Sequence, residues 1–320
     1  MWRQFDTASL HRVASSHLDG LTLNVRTRCD DLGREPVLCI HGATYASRFF
    51  DVPYPGANWL DALDAAGFCT YALDIRGYGR SVDPLHETRS APFARAGEAI
   101  EDILDVANWI LARHGGKLNL VGGSWGSITS GLFASTVGAG LVERLVLYAP
   151  IFGGNPLQPA AALNVGDDQF HGPRRRVTES DVRIRWDNET PPGVVLRDES
   201  VFQAQFQSSV ADCGASDAWF HAPNGTLLDL TQSMSGHPLY DPAGIACPTL
   251  LIRGELDLIS IREDTMRLFE ALGTRQRRYV EIGYGTHFMG AEFVGPQVFR
   301  EVASFLAEPV AMAKSGAGRP

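Results

Sequence analysis

Leu118-Asn119-Leu120-Val121-Gly122-Gly123-Ser124-Trp125-Gly126-Ser127 is the stretch that decides how this chain is read. Leu118 to Val121 reads as a buried strand, and Ile128 to Val137 as a helix packed on it. Between them a serine sits at a strand-to-helix turn, with glycine two residues before and two after. Such a turn is sharp, so a side chain at Gly122 or Gly126 would collide with neighbouring backbone. The turn lifts the hydroxyl above the sheet edge, and the N-terminus of the following helix favours negative charge there. Alone the motif is weak, and its weight comes from its surroundings.

Those surroundings alternate between strand-like and helix-like runs. Arg12 to Ser16 and Leu21 to Arg26 predict an opening antiparallel hairpin around Asp19-Gly20. Pro36 to Ile40 is a short apolar strand ending at His41-Gly42, and Asn58 to Ala66 a helix stopped by Gly67. A strand over Phe68 to Ile75 runs into Asp74-Ile75-Arg76-Gly77-Tyr78-Gly79-Arg80-Ser81. Ala94 to His114 is a long amphipathic helix with Ile100, Ile103, Leu104, Ala107 and Leu111 at helical spacing. Arg144 to Ala149 is a further strand, after which the pattern breaks. From Pro150 to Ala243 the chain is rich in Pro, Gly, Asp and Arg and has little periodicity. Alternation resumes with a strand from Pro248 to Arg253 and a helix from Ile261 to Leu272. A strand over Tyr279 to Ile282 and a helix over about Pro296 to Leu306 close the pattern. Alternation of this kind implies an α/β fold whose mostly parallel sheet is covered on both faces. The organisation expected is a core over 1–150 and 245–308, an inserted cap over 151–244 and a flexible tail over 309–320.

Composition narrows the class. With 44% apolar and 20% charged residues the chain matches an ordinary globular enzyme. A net charge of −9 and the lack of a basic patch with interleaved aromatics argue against a nucleic-acid partner. Arg174-Arg175-Arg176 reads as a solvated surface run. No apolar run is long enough to span a bilayer, and the start of the sequence lacks the apolar core of a signal peptide. The five cysteines form no C-x-x-C pair; Cys39 and Cys69, in apolar strands, read as buried small hydrophobes, and a cytoplasmic location fits. No metal-ligand spacing appears and no cofactor is implied.

A serine hydroxyl is nearly inert near neutral pH. It needs a base, and the base needs an acceptor that fixes its tautomer. Of the nine histidines, His287 alone lies just after the last strand, on the Gly285-Thr286-His287-Phe288 loop. His41 also follows a strand but precedes Ser124, and it reads as a loop brace. His86, His114, His171, His221 and His237 fall in loops or helix ends, and His11 and His17 in the hairpin. The acid comes from Leu250-Leu251-Ile252-Arg253-Gly254-Glu255-Leu256-Asp257; Asp257 is the choice and Glu255 its nearest competitor. Asp257 could instead cap the next helix, a task that suits Ser260 better. Donors for an oxyanion would be the backbone N–H groups of Trp125 and Ala43, each worth on the order of 10²–10³ in rate.

Together these pieces resemble the α/β-hydrolase superfamily over nearly the whole chain. They are His41-Gly42, Asp74 to Ser81, Gly122 to Ser127, Gly254 to Asp257 and Gly285 to Phe288. The resemblance implies a central eight-stranded sheet, a Ser124-Asp257-His287 triad in that chain order, and a lid inserted after the sixth strand. It also implies that Asp74 to Ser81 is a structural turn. Gly122-Gly123-Ser124-Trp125-Gly126-Ser127 is similar to the elbow of proline iminopeptidases. Those enzymes carry His-Gly-Gly-Pro-Gly at the oxyanion loop, where this chain has His41-Gly42-Ala43-Thr44-Tyr45.

The expected substrate is therefore a small acyl compound: an ester, thioester or lactone. The alternatives are amide cleavage, acyl transfer or cyclisation, and a non-catalytic binding protein on the same fold. Trp186, Phe202, Phe206, Trp219 and Phe220 would either wall the pocket or form the insert's own core. Phe49, Phe50 and Tyr54 would line the acyl side. Glu179, Asp181, Asp187, Glu189 and Glu199 could hold a substrate amine or simply face solvent. The sequence does not state the oligomeric form.

Overall fold

The fold comes from a computed structural model that describes residues 2–85, 88–157, 167–214 and 216–309. His86 and most of the expected tail, 310–320, lie outside the described residues, as does 158–166 of the insert.

Three of the central strands are fully buried: β3 (Pro36–Ile40), β4 (Cys69–Leu73) and β5 (Leu118–Gly123). Strands buried on both faces read as continuous apolar runs, which is why the sequence located them. They join β1 (Ser9–Ala14), β2 (Thr22–Arg28), β6 (Val142–Tyr148), β9 (Thr249–Gly254) and β10 (Arg277–Ile282) in one eight-stranded sheet. The order is β1-β2-β4-β3-β5-β6-β9-β10, antiparallel from β1 to β4 and parallel beyond it. The hairpin lies where expected, although its strands run three residues earlier and two later than the pattern suggested.

Successive side chains of a strand point to opposite faces, so each strand feeds two cores. Leu38 and Ile40 pack on one side, with α2 (Ala96–His114) and α3 (Trp125–Ser135). Val37 and Cys39 pack on the other, with α1 (Trp59–Ala65) and the C-terminal helix Gly295–Ala307. The α1 start is fixed by Asn58, whose side chain accepts from the Asp61 N–H, and Gly67 (φ +95°) turns the chain away. In α2, Ile103, Val106, Ala107 and Ile110 make the buried stripe, and buried Asp102 on the same face holds Arg76 at 2.7 Å.

The chain crosses from β4 past β3 to reach β5, so the direction of winding reverses between β3 and β5. In an open α/β sheet the crevice at that reversal, outside the carboxyl ends, is where ligands bind. Ile40 pairs with Gly122, Tyr148 with Ile252 and Gly254 with Ile282. These registers bring the loops after β3, β5, β9 and β10 to one edge.

Between β6 and β9 lies the insert. It contains a two-stranded antiparallel ribbon, β7 (Arg174–Thr178) with β8 (Trp219–Pro223). It also contains α4 (Glu179–Glu189), α5 (Glu199–Cys213) and α6 (Gly225–Met234). These elements were not legible in the sequence. Charged residues fasten the insert to the sheet: Asp212 of α5 accepts from Arg26 of β2 and, at 2.7 Å, from Arg48, all of them buried. Asp6 and Asp51 complete the cluster around the two guanidinium groups.

One cysteine reading is corrected. Cys69 is not a lone buried hydrophobe; it is disulfide-bonded to Cys29, with Cα atoms 4.6 Å apart. Arg28 pairs with Thr70, so the next residue outward on each antiparallel strand faces the other. The pairing removes the cysteine ground for a reducing compartment. Cys39 is buried as expected, and burial pushes its thiol pKa up. Among the described residues no helix is long and apolar enough to cross a membrane.

Removing one carboxylate from a buried ion cluster leaves cations without compensation. Asp212→Ala is therefore expected to lower unfolding free energy by about 3 kcal/mol, as measured by urea denaturation. A loss below about 0.5 kcal/mol, the range of exposed pairs, would contradict this account.

Candidate active site

The site starts from the bend at Ser124. Its backbone sits at φ 57°, ψ −123°, a conformation that costs of order 1–3 kcal/mol for a residue bearing a side chain. Its N–H donates to the Tyr148 carbonyl at 2.9 Å, which ties the bend to β6. The collisions expected at the flanking glycines are real. A Cβ on Gly122 would lie 2.3 Å from the Gly126 carbonyl oxygen, and one on Gly126 would lie 2.2 Å from that of Ile40. Bare Cα atoms let α3 start directly against the end of β3. A Cβ on Gly42 would come within 2.9 Å of the Ser124 Cβ, so the loop after β3 adjoins the serine.

Ser124 Oγ is 2.8 Å from His287 Nε2. His287 Nδ1 is 2.9 Å from Asp257 Oδ2 and 3.0 Å from Oδ1. Ser124 is 7% exposed, and Asp257 and His287 each 2%. Asp257 Oδ1 also accepts the N–H groups of Ile259 and Ser260, at 2.8 and 2.7 Å. Burial alone would raise the Asp257 pKa; the adjacent imidazole and these two donors outweigh it and hold the carboxyl below its usual range. Ser260 does not cap the next helix, whose N-cap is Ile261; its hydroxyl donates to the Pro150 carbonyl instead. Glu255 takes the Tyr284 N–H at 3.1 Å and stays outside the chain of contacts.

His41 braces the neighbouring loop. Its Nε2 accepts from the Ile75 N–H at 3.1 Å, which requires the proton on Nδ1, 2.8 Å from the Gly42 carbonyl. Burial pushes its pKa down to about 4, so it stays neutral. Asp74 accepts from Asn24, the Ser47 N–H and the Arg80 N–H, which makes its loop structural, as the resemblance implied.

A model of the alpha/beta hydrolase family matches residues 37–300, the span that carries all of these loops. The chain belongs to that family. No curated protein matches the sequence. Among solved structures, E-2-(acetamidomethylene)succinate hydrolase is 20% identical with a TM-score of 0.66, over 94% of this chain and 100% of that one. A bromoperoxidase from Bacillus anthracis is 17% identical with a TM-score of 0.66, over 94% and 100%. A thermophilic esterase from Thermogutta terrifontis is 19% identical with a TM-score of 0.62, over 93% and 98%. At these identities the likeness is one of fold.

In this alpha/beta hydrolase the insert reaches the site through Arg175, Arg185 and Glu189, of which the sequence reading passed over Arg185. Arg175 is not solvated, as its basic run suggested. It is buried and donates to the Ala43 carbonyl at 2.5 Å, where the Tyr78 hydroxyl also donates at 2.8 Å. The turn carrying the Ala43 N–H is thus held by two donors. Arg185 donates to the Thr44 hydroxyl at 2.8 Å, and burial pushes its pKa down to about 10. Of the five acidic candidates in the insert, Glu189 alone is buried at the site, and it takes the His287 N–H at 2.6 Å. Glu179 and Glu199 pair with Arg183, Asp187 pairs with Arg197, and Asp181 caps α4.

The aromatic candidates divide. Phe49 lies against Gly123, where a Cβ would meet its ring at 2.7 Å, and so borders the bend. Phe50 is core, edge-on to Trp59. Trp186 stacks on Phe288 at 4.6 Å and donates to Glu292, which accepts from Thr286 next to His287. Phe202, Phe206 and Phe220 pack on one another within a core shared with the sheet, and Phe220 also stacks on Tyr45 of the loop after β3 at 5.5 Å. Trp219 faces Arg176 and His221 on the outer side of the ribbon. Tyr54 bonds Asp198 and faces Phe5, in a groove between the first residues and α5 that contains none of Ser124, Asp257 and His287. Among the described residues, Cys29, Cys69 and His114 are the only group whose possible metal-ligand atoms lie close together. Two of these are bonded to each other, and Cys69 opens β4, at the sheet edge opposite Ser124.

Burial, with Asp257 nearby, raises the Glu189 pKa well above the ordinary carboxyl value. A folded-state pKa above the unfolded one contributes stability at low pH that is lost as pH rises through the folded value. Glu189→Gln keeps an acceptor for the His287 N–H and does not ionise. The melting temperature of Glu189→Gln minus that of wild type should therefore grow between pH 5 and 9, tracked by scanning fluorimetry. Parallel profiles would show that Glu189 is not held toward its neutral form.

Proposed function

We propose that this alpha/beta hydrolase is a serine hydrolase that cleaves an ester, thioester or lactone through an acyl-enzyme. The observation that carries the reading is the unbroken run of contacts from Ser124 Oγ through His287 to Asp257, buried at the crevice edge. Ser124 Oγ attacks the substrate carbonyl carbon while His287 Nε2 takes its proton. Asp257 holds Nδ1–H and steadies the imidazolium that forms. The carbonyl oxygen gains charge as the new bond forms, and the N–H groups of Trp125 and Ala43 are the donors suited to it. Collapse expels the alcohol or thiol, which leaves with the proton from His287. Water then repeats the cycle on the acyl group, with its proton passing to His287 and back to Ser124 Oγ.

Family membership supports hydrolysis, and the esterase among the similar structures fits ester chemistry. The insert acts as a cap that narrows access to Ser124. Cleavage of an N-terminal residue would need acidic groups in the cap to take an amine. Glu189 is the candidate at the site, and one of its oxygens already holds His287. No cofactor enters the scheme, and the substrate is a small acyl compound.

A fluorophosphonate probe should label wild type and fail to label Ser124→Ala, read by mass shift. His287→Ala should lower 4-nitrophenyl ester turnover at least ~10³-fold without unfolding the protein, because base loss removes nucleophile activation. Label on Ser124→Ala, or near-normal turnover by His287→Ala, would place the chemistry elsewhere.

A further inference from the structure

Buried charge on the insert is concentrated where it meets the site. Val182, Arg185, Trp186 and Glu189 lie at helical spacing and form the buried face of α4. That face carries two ionisable side chains where a packing helix would carry apolar ones. Arg185 spans the crevice. Its guanidinium donates to Thr44, next to Ala43 on the loop after β3, and stands 5.3 Å over the ring of Phe288, next to His287. It therefore lies between the two loops that flank Ser124. Next to Thr44 in the chain is Tyr45, 2% exposed, whose ring stacks on Phe220 at 5.5 Å and whose hydroxyl has no hydrogen-bond partner among the described residues. A buried polar atom without a partner is costly and marks a place where a ligand atom completes the bonding.

We propose that Arg185, Thr44 and Tyr45 form an anion subsite beside the oxyanion loop, and that the acyl substrate carries a carboxylate which binds there. The guanidinium supplies a planar, permanently charged donor set suited to a carboxylate, and the two hydroxyls supply further donors to its oxygens. A site with one arginine and neutral hydroxyls suits a single negative charge better than a phosphate dianion. The carboxylate is spectator chemistry: no bond to it forms or breaks. It fixes the distance from the acid group to the scissile carbonyl and so selects acyl length. This subsite rests on the serine-hydrolase reading above, because it presumes an acyl group on Ser124.

The test compares mono-4-nitrophenyl esters of succinic, glutaric and adipic acids with neutral 4-nitrophenyl esters of the same chain length, spontaneous hydrolysis subtracted. Wild type should favour at least one acid-bearing ester over its neutral partner in kcat/KM by about 10- to 100-fold, the range of a hydrogen bond to a charged group. Arg185→Met should abolish that ratio, Arg185→Lys should keep part of it, and Tyr45→Phe should reduce it, mainly through KM. Because the readout is a ratio within one variant, a general loss of active protein leaves it unmoved. Circular dichroism confirms the fold, and if Arg185→Met does not fold, the Lys and Phe variants carry the test. No preference in wild type, or the same ratio in every variant, overturns the subsite. Fluorophosphonate labelling separates the two claims: labelled Ser124 without a carboxylate preference removes the subsite alone, whereas absence of labelling removes the hydrolase reading and the subsite together.

Discussion

Backbone meets backbone where α3 begins, and the site depends on that contact. Gly126 lies so close to the Ile40 and His41 carbonyls that a single methyl group would overlap both. The same closeness places the loop after β3 against Ser124 and forces Ser124 into its strained conformation. The strain is tolerable because the pairing of Ile40 with Gly122, and the bond from the Ser124 N–H to Tyr148, over-determine the bend. An alanine at Gly122 or Gly126 would separate the serine from the loop after β3 before it touched the side chain of Ser124, Asp257 or His287.

The other two contacts follow from the far half of the sheet. Gly254 and Ile282 are paired neighbours, so the loops bearing Asp257 and His287 leave the same edge side by side. A Cβ on Gly254 would lie 2.2 Å from the Gly285 carbonyl, so these loops too touch through backbone. That tightness is what lets a carboxylate and an imidazole 30 residues apart meet at 2.9 Å.

These features were legible because they are local. Apolar runs marked β3 to β6 and β9, and glycines marked the turns that need close approach. The order of serine, acid and histidine followed from which strand each one trails. The insert was opaque for a physical reason that α4 illustrates. Its buried positions, Val182, Arg185, Trp186 and Glu189, have perfect helical spacing, but two are ionisable, and these bind polar groups of the loops around Ser124. A reading based on hydrophobic periodicity discards such a helix. Arg175 failed in the same way: a basic run normally faces water, and only the fold reveals that one member is buried on the Ala43 carbonyl. Cys29 and Cys69, distant in sequence, meet only through strand register.

The charges on that buried face divide their tasks. Glu189 touches the His287 backbone and lies close to Asp257. A full negative charge there would oppose that of Asp257, in surroundings too buried to screen it. Burial holds the carboxyl toward its neutral form, so it can fix the backbone of His287 while Asp257 remains the negative partner of the imidazole. Arg185, the cation of the same face, donates to the Thr44 hydroxyl on the loop after β3. A helix that reads as too polar to be buried is thereby suited to its position, because the loops it packs against present the Thr44 hydroxyl and the His287 N–H, which its arginine and glutamate bind.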